Sequence, residues 1–223
     1  MKAGALLLAA GRGERLGADV PKAFLEIGGR TLLAYAVGAI EDCPEVDGFV
    51  VAVPVGRERL ARDLCSGSGK LLDVVTGGDT RTASTRRALE ALPAEFDAVV
   101  CHDVARPLTG PKIFSAVLGA LADADGVVPV VPIADTVKRV RDGVVTETVD
   151  RAGLSAVQTP QAFRREALED AHARVPDEQA TDDAVLVERA GGKVIAVAGD
   201  PTNIKVTTPD DVSVAAALLG RHG

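Results

Sequence analysis

Three short stretches of the chain gather side chains able to bind and stabilise phosphate. The first, "AAGRGERLGADVPKAF" (residues 9–24), carries Arg12, Arg15 and Lys22 among the small residues Ala9, Ala10, Gly11 and Gly13. Small residues let a ligand approach the main chain closely. Guanidinium and ammonium groups suit a triphosphate, and suit still better the extra negative charge of a phosphoryl-transfer transition state. The second stretch, "GGDTRTAS" (77–84), sets Asp79, Arg81 and Ser84 behind the paired glycines Gly77 and Gly78. Its main chain can reach a flat ligand edge, while Ser84 can either cap a helix or bind the ligand. In the third, "VVCHDVARP" (99–107), Asp103 follows an apolar run, where open α/β sheets bind ligands. There an aspartate can hold phosphate-bound Mg²⁺ or accept a hydrogen bond from a substrate hydroxyl; taken alone it is also a common turn residue. His102 has no His, Cys or carboxylate companions at ligand spacing and reads as a satisfied strand-end histidine.

The first stretch has the outline of a dinucleotide-binding loop but departs from it. Gly11 and Gly13 form a G-x-G, yet the third glycine, Gly17, falls one position late. Pro21 biases Val20 away from helix, and the apolar spacing of a packed helix is missing before it. Without that helix no aligned dipole faces a pyrophosphate, so a nicotinamide-dependent oxidoreductase is disfavoured. No Ser/His/Asp or Cys/His nucleophilic set is visible either.

These loops need a scaffold, and the apolar pattern supplies one. Runs suited to buried strands are Ala5–Ala10, Gly48–Pro54, Ala98–Asp103, Gly126–Val131 and Lys193–Gly199, with "LLDVVT" strand-like before Gly77. Helical spacing marks Thr31–Ile40, Glu58–Leu64, Ser84–Leu92, Pro111–Leu121, Arg164–Ala173, Asp182–Ala190 and Pro209–Leu219. The alternation predicts an α/β fold: a mostly parallel, twisted sheet with helices on both faces. Thr208 as N-cap, Pro209 at the first position, and Asp210 with Asp211 in the first turn mark the start of the last helix. The segment Asp135–Arg151 breaks the rhythm, alternating polar and apolar residues around Asp142-Gly143, a strong hairpin signal. Such a ribbon has little core of its own, so it is expected to pack on a second copy of the chain or to fold back as an extra sheet edge.

Composition narrows the class. With 223 residues, one domain over 1–223, carrying the arm at about 135–151, is the simplest division. Hydrophobic residues make up 47% and aromatics only 3%, so Ala, Val and Leu must fill the interior. A net charge of −7 argues against nucleic acid or an anionic membrane as partner, and requires any anionic ligand to meet a local basic cluster. Cys43, Cys65 and Cys101 form neither a disulfide framework nor a zinc spacing, which suits a reducing, cytoplasmic setting. The run Ala3–Ala10 after Lys2 resembles a secretory leader only faintly, being short and followed at once by arginines.

Beyond these stretches lie "DTVK" (135–138), "VDR" (149–151), "QTPQAF" (158–163), "TDDA" (181–184) and "NIKVTTPDD" (203–211). Singly, Thr181 is most simply an N-cap and Lys205 a solvent-facing strand lysine. As an ordered set with the first three stretches, from about residue 3 to residue 220, they resemble the 2-C-methyl-D-erythritol 4-phosphate cytidylyltransferases of the non-mevalonate isoprenoid pathway. The related ribitol-5-phosphate cytidylyltransferases share much of the set.

The resemblance implies a GT-A-like, Rossmann-like nucleotidyltransferase fold, a homodimer held partly by the protruding hairpin arm, and Mg²⁺-dependent transfer from CTP to a polyol phosphate. It implies that Arg15 and Lys22 stabilise the transition state. Ala9, Ala10, Gly11, Gly78, Asp79, Ser84 and Val104 would contact CTP, with Arg81 a weaker candidate. Asp103, Thr136, Arg151, Thr159, Thr181 and Lys205 would hold or orient the polyol phosphate. Asp103 would be the nearest protein group to a metal carried mainly by the CTP phosphates. Thr136 and Arg151, on the arm, would reach a partner subunit's site. Three positions depart from the family pattern: Val104 where a second alanine is usual, Ser155 after Leu154 where tryptophan is frequent, and Val185 where serine is common. None removes a charged or proton-handling group. A non-catalytic nucleotide-binding homologue is the alternative from another class, disfavoured because Arg15, Lys22, Asp103, Arg151 and Lys205 are all present.

Overall fold

A computed structural model describes residues 1–11, 13, 16, 20–174 and 180–220. Its centre is an eight-stranded sheet. The strands β1 (Ala3–Leu8), β4 (Gly48–Val53), β5 (Leu71–Thr76) and β6 (Ala98–Asp103) are parallel, with β1 between β4 and β6 and β5 on the outer side of β4. On the other side of β6 lies β11 (Gln161–Arg164), antiparallel to it and to β7 (Gly126–Pro132). Two more strands join β7: β10 (Ser155–Val157), antiparallel, and β12 (Val194–Ala198), parallel. A mostly parallel sheet results, with two reversed strands: β11 near its middle and β10 at an edge.

Period-2 alternation along the buried strands sends side chains to two separate cores. Ala5, Leu7, Phe49, Val51, Val53 and Val100 face one cluster, which is covered by α1 (Leu32–Glu41), α2 (Glu58–Cys65), α4 (Pro111–Gly119) and α7 (Pro209–Leu219). Leu6, Val50, Ala52, Val99, Cys101 and Phe163 face the other, covered by α3 (Arg81–Ala91), α5 (Arg165–Arg174) and α6 (Asp183–Arg189). Because both faces are dry, the strands read as unbroken apolar runs. Cys43, Cys65 and Cys101 are buried and free.

Helix ends follow the local chemistry. Thr208 and Asp211 form a reciprocal capping box at the start of α7, behind Pro209. Helix α3 begins at Arg81, three residues ahead of the expected Ser84, because the Thr80 side chain accepts the Ala83 N–H and caps it there. Asp182, and not Thr181, caps α6 by accepting the Val185 N–H.

The hairpin forms around Asp142-Gly143, whose φ values of 49° and 77° are both left-handed, as a two-residue I′-type turn requires. Its strands, β8 (Val137–Arg141) and β9 (Val144–Val149), pair only with each other among the described residues. The expectation of an extra sheet edge on the same domain therefore fails: the ribbon stands off the sheet with Val140, Val144 and Val145 exposed. A second small hairpin, β2 (Glu26–Ile27) with β3 (Arg30–Thr31), lies before α1. No described helix is long and apolar enough to cross a membrane.

Candidate active site

At the carboxyl edge of the parallel strands, where β1 and β6 end side by side with Leu8 opposite Asp103, the main chain turns away and leaves a cleft of about 920 Å³. Its walls include Ala9, Ala10, Gly11, Gly13, Gly78, Asp79, Ser84 and Val104. Lys22, Arg81, Asp103, Lys205 and Thr207 line it as well. Pro54, Val55 and Thr80 also contribute and were not singled out in the sequence; they are the residues just beyond a strand end and just before a helix, so position alone could have flagged them.

Close packing fixes the floor. A Cβ placed on Gly77 would lie 2.3 Å from the Ala10 Cβ, so the loops after β1 and β5 touch only because one of them has no side chain. Ser84 does not cap α3: its hydroxyl accepts the Gly78 N–H at 3.1 Å and donates to the Thr80 carbonyl at 2.9 Å, tying the glycine turn to the helix. Gly13 (φ +70°) packs against the stem of Lys22, which enters the cleft from a 3₁₀ turn, Lys22–Phe24, anchored by the buried Phe24. Arg12 and Arg15 lie outside the described residues.

The charged centre is a chain of four ionised side chains from distant segments. Arg81 Nε donates to Asp103 Oδ1 at 3.1 Å, and its Nη1 donates to Asp183 Oδ2 at 2.7 Å. Lys205 Nζ holds the other Asp103 oxygen at 2.5 Å, and His172 Nε2 meets Asp183 Oδ1 at 3.2 Å. Burial alone would push both carboxyls up. The adjacent Arg81, with Lys205 at Asp103 and His172 at Asp183, outweighs it, holding Asp103 well below the usual carboxylate range and Asp183 at about 2. Two like charges and two opposite ones thus neutralise each other at the base of the cleft.

Lys205 is aimed by its flanks. The Val206 N–H donates to the Ala105 carbonyl at 2.8 Å, and fully buried Asn203 is gripped by Thr109, by Arg106 and by the Thr159 carbonyl. Thr159 itself is buried, away from the cleft wall: its hydroxyl accepts the Asp103 N–H at 3.0 Å and pairs with His102 Nδ1 at 3.1 Å. It acts on Asp103 from behind. His102 is wholly buried, with Phe114 edge-on to its ring, and burial pulls its pKa down to about 3.

Three further residues that the resemblance put near substrate are, like Thr159, not on this wall. Thr136 and Thr181 are exposed on the surface, and exposed Arg151 donates to the carbonyls of Ile133 and Ala134 at the foot of the arm. Conversely, Asp183 escaped the sequence reading. The signal was the doubled aspartate of "TDDA": one caps α6, which leaves the other to be explained. As for a metal, no group of three His, Cys, Asp or Glu side chains placed to hold one occurs among the described residues, and both Asp103 oxygens are already ion-paired.

An open, mostly parallel sheet with a small-residue cradle and basic side chains at its carboxyl edge defines a nucleotidyltransferase of the α/β class. The solved structures agree. The 4-diphosphocytidyl-2C-methyl-D-erythritol synthase from Anaerococcus prevotii superposes with a TM-score of 0.88 at 30% identity, covering 99% of this chain and 96% of that one. The 2-C-methyl-D-erythritol 4-phosphate cytidylyltransferase from Thermus thermophilus superposes at 0.80 with 37% identity, covering 98% of each. In sequence, the 2-C-methyl-D-erythritol 4-phosphate cytidylyltransferase of Deinococcus radiodurans is 46% identical over 218 residues, 97% of this chain and 89% of that protein. The profile of the family described as IspD, 2-C-methyl-D-erythritol 4-phosphate cytidylyltransferase, matches residues 4–221. The chain belongs to that family.

Proposed function

We propose that this protein transfers the cytidylyl group of CTP to 2-C-methyl-D-erythritol 4-phosphate, giving the CDP-linked alcohol and pyrophosphate in isoprenoid precursor synthesis. The observation that carries this reading is the cleft itself: a small-residue cradle bordered by Lys22, with the Arg81–Asp103–Lys205 array at its base, in a chain that matches the family from residue 4 to residue 221.

The chemistry needs no protein nucleophile. The second pKa of a phosphate monoester is about 6, so the substrate's phosphate is largely dianionic near neutrality. One of its oxygens attacks the α-phosphorus of CTP, a new P–O bond forms, and the bond from the α-phosphorus to the bridging oxygen breaks as pyrophosphate leaves. The protein positions the two reactants and answers the charge that builds up. Lys22, with Arg15, stabilises that charge. Ala9, Ala10, Gly11, Gly78, Asp79, Ser84 and Val104 line the nucleotide's part of the cleft, and Asp103 and Lys205 orient the attacking phosphate.

Mg²⁺ would neutralise triphosphate charge in this reaction. The ion-paired state of Asp103 favours a cation carried by the phosphates over one caged by the protein. A homodimer built through β8 and β9 would give the exposed valines of the arm a partner and bring Thr136 and Arg151 to the neighbouring site. The test is pyrophosphate release by the purified chain with CTP and either methylerythritol phosphate or ribitol phosphate. Turnover with the first and not the second is expected; turnover with ribitol phosphate alone, or with neither, would overturn the assignment.

A further inference from the structure

We propose that Asp183, a residue outside the cleft, is a positioning residue for the attacking phosphate, acting through Arg81 and Asp103 on Lys205. The proposal rests on the transfer reaction above and deepens it.

Asp183 is fully buried on α6, whereas Lys205 lies on the loop between β12 and α7. They are joined by a continuous relay. Asp183 holds Arg81 Nη1 at 2.7 Å, Arg81 Nε holds one Asp103 oxygen at 3.1 Å, and the other Asp103 oxygen holds Lys205 Nζ at 2.5 Å. His172 fixes the remaining Asp183 oxygen at 3.2 Å. Arg81 Nη2 is buried without a hydrogen-bond partner among the described residues, so the two carboxylates alone orient the guanidinium.

The charges make the relay directional. With Asp183 ionised, one guanidinium charge is shared between two carboxylates, and Asp103 keeps an oxygen for Lys205. Were Asp183 neutral, the whole charge of Arg81 would bear on Asp103. The planar fork could then turn both its nitrogens to that carboxylate, as guanidinium–carboxylate pairs prefer. The ammonium of Lys205 would lose its anchor and face an uncompensated neighbour of its own sign.

The substitution Asp183→Asn keeps the shape and removes the charge. Its KM for the polyol phosphate should rise about tenfold, about the cost of weakening one charge-assisted contact, with the KM for CTP unchanged. In a Lys205→Ala background the same substitution should add little, since its route is already cut. A purely structural role would lower Tm and leave both KM values alone, or would add fully to Lys205→Ala; either result overturns the proposal.

A readout independent of turnover separates this proposal from the assigned reaction. Acetic anhydride labelling of Lys205, relative to exposed Lys112 and followed by mass spectrometry, should quicken several-fold in Asp183→Asn as the ion pair loosens. An unchanged labelling ratio overturns the relay even if the enzyme turns over as assigned. A quickened ratio in a chain that transfers no cytidylyl group upholds the relay and sinks the reaction. Should near-ultraviolet circular dichroism show Asp183→Asn unfolded, Arg81→Lys takes its place. It keeps the charge but loses the planar fork whose Nε and Nη1 span the two carboxylates, and the same labelling outcomes decide.

Discussion

Lys22 owes its place to a neighbour with no side chain: Gly13 in the left-handed region leaves room for the lysine's stem to lie against the loop. In the proposed reaction its ammonium answers the phosphates' charge, so Lys22→Ala should lower kcat by about 100-fold or more with folding intact, comparable to losing one oxyanion donor. Steady-state kinetics beside circular dichroism checks this, and near-normal turnover would contradict it. His102 makes a different prediction, about stability. Above its unfolded pKa of 6.5 it is neutral in both folded and unfolded chains and adds no slope. Below that value the unfolded imidazole takes a proton that the folded one refuses until about 3, with Asp103, Arg106 and Lys205 the charged groups facing it. Stability should therefore fall as pH drops from 6.5 towards 3, by at most about 1.4 kcal/mol per pH unit from this residue. Between pH 6.5 and 4.5 the depressed carboxyls of Asp103 and Asp183 have not begun to contribute, so denaturant titrations there should show a shallower slope for His102→Gln.

Among the elements, the arm is the plainest test of assembly. β8 and β9 share no ladder with the eight-stranded sheet, and Val137 and Val149 pair at their base. For the homodimer proposed through the arm, replacing residues 137–149 by two glycines should halve the mass measured by light scattering. A variant that stays dimeric would place the dimer contact elsewhere. The loop pair Ala10–Gly77 is less forgiving. Gly77→Ala drives two main-chain segments apart, and the KM for CTP should rise by about tenfold or more, read by calorimetric titration or kinetics. The hairpin was legible because Asp-Gly between alternating residues specifies a local turn, and α7 because its cap lies within four residues. β11 was not. Four residues that insert antiparallel between β6 and β7 are placed by partners far away in the sequence, and nothing local announces them. Asp103 and the glycine turn at Gly77 were visible for the opposite reason: each sits at the end of a strand, where chain direction already says what lies beyond, while Lys22 stood out by its charge in a glycine-rich loop. Asp183 acts from within, and only its three-dimensional partners distinguish it from a helix cap, while Thr159 stood out through the family resemblance alone.

Across the whole molecule the sheet separates two cores that share few side chains. Phe49 belongs to one and Phe163 to the other, and both are fully buried. Each phenylalanine replaced by alanine should cost about 3–5 kcal/mol in chemical denaturation. The double variant should come within about 0.5 kcal/mol of the sum, because the two cavities open on opposite faces. The site, by contrast, belongs to no single layer. Arg81, Asp103, Asp183 and Lys205 come from α3, β6, α6 and the loop before α7, and meet only when all four segments are in place. Closing loops of that length is the slow part of building a topology. During refolding, then, helical signal should return before catalytic competence does. A chain released early from a chaperone could hold most of its secondary structure and still be inert.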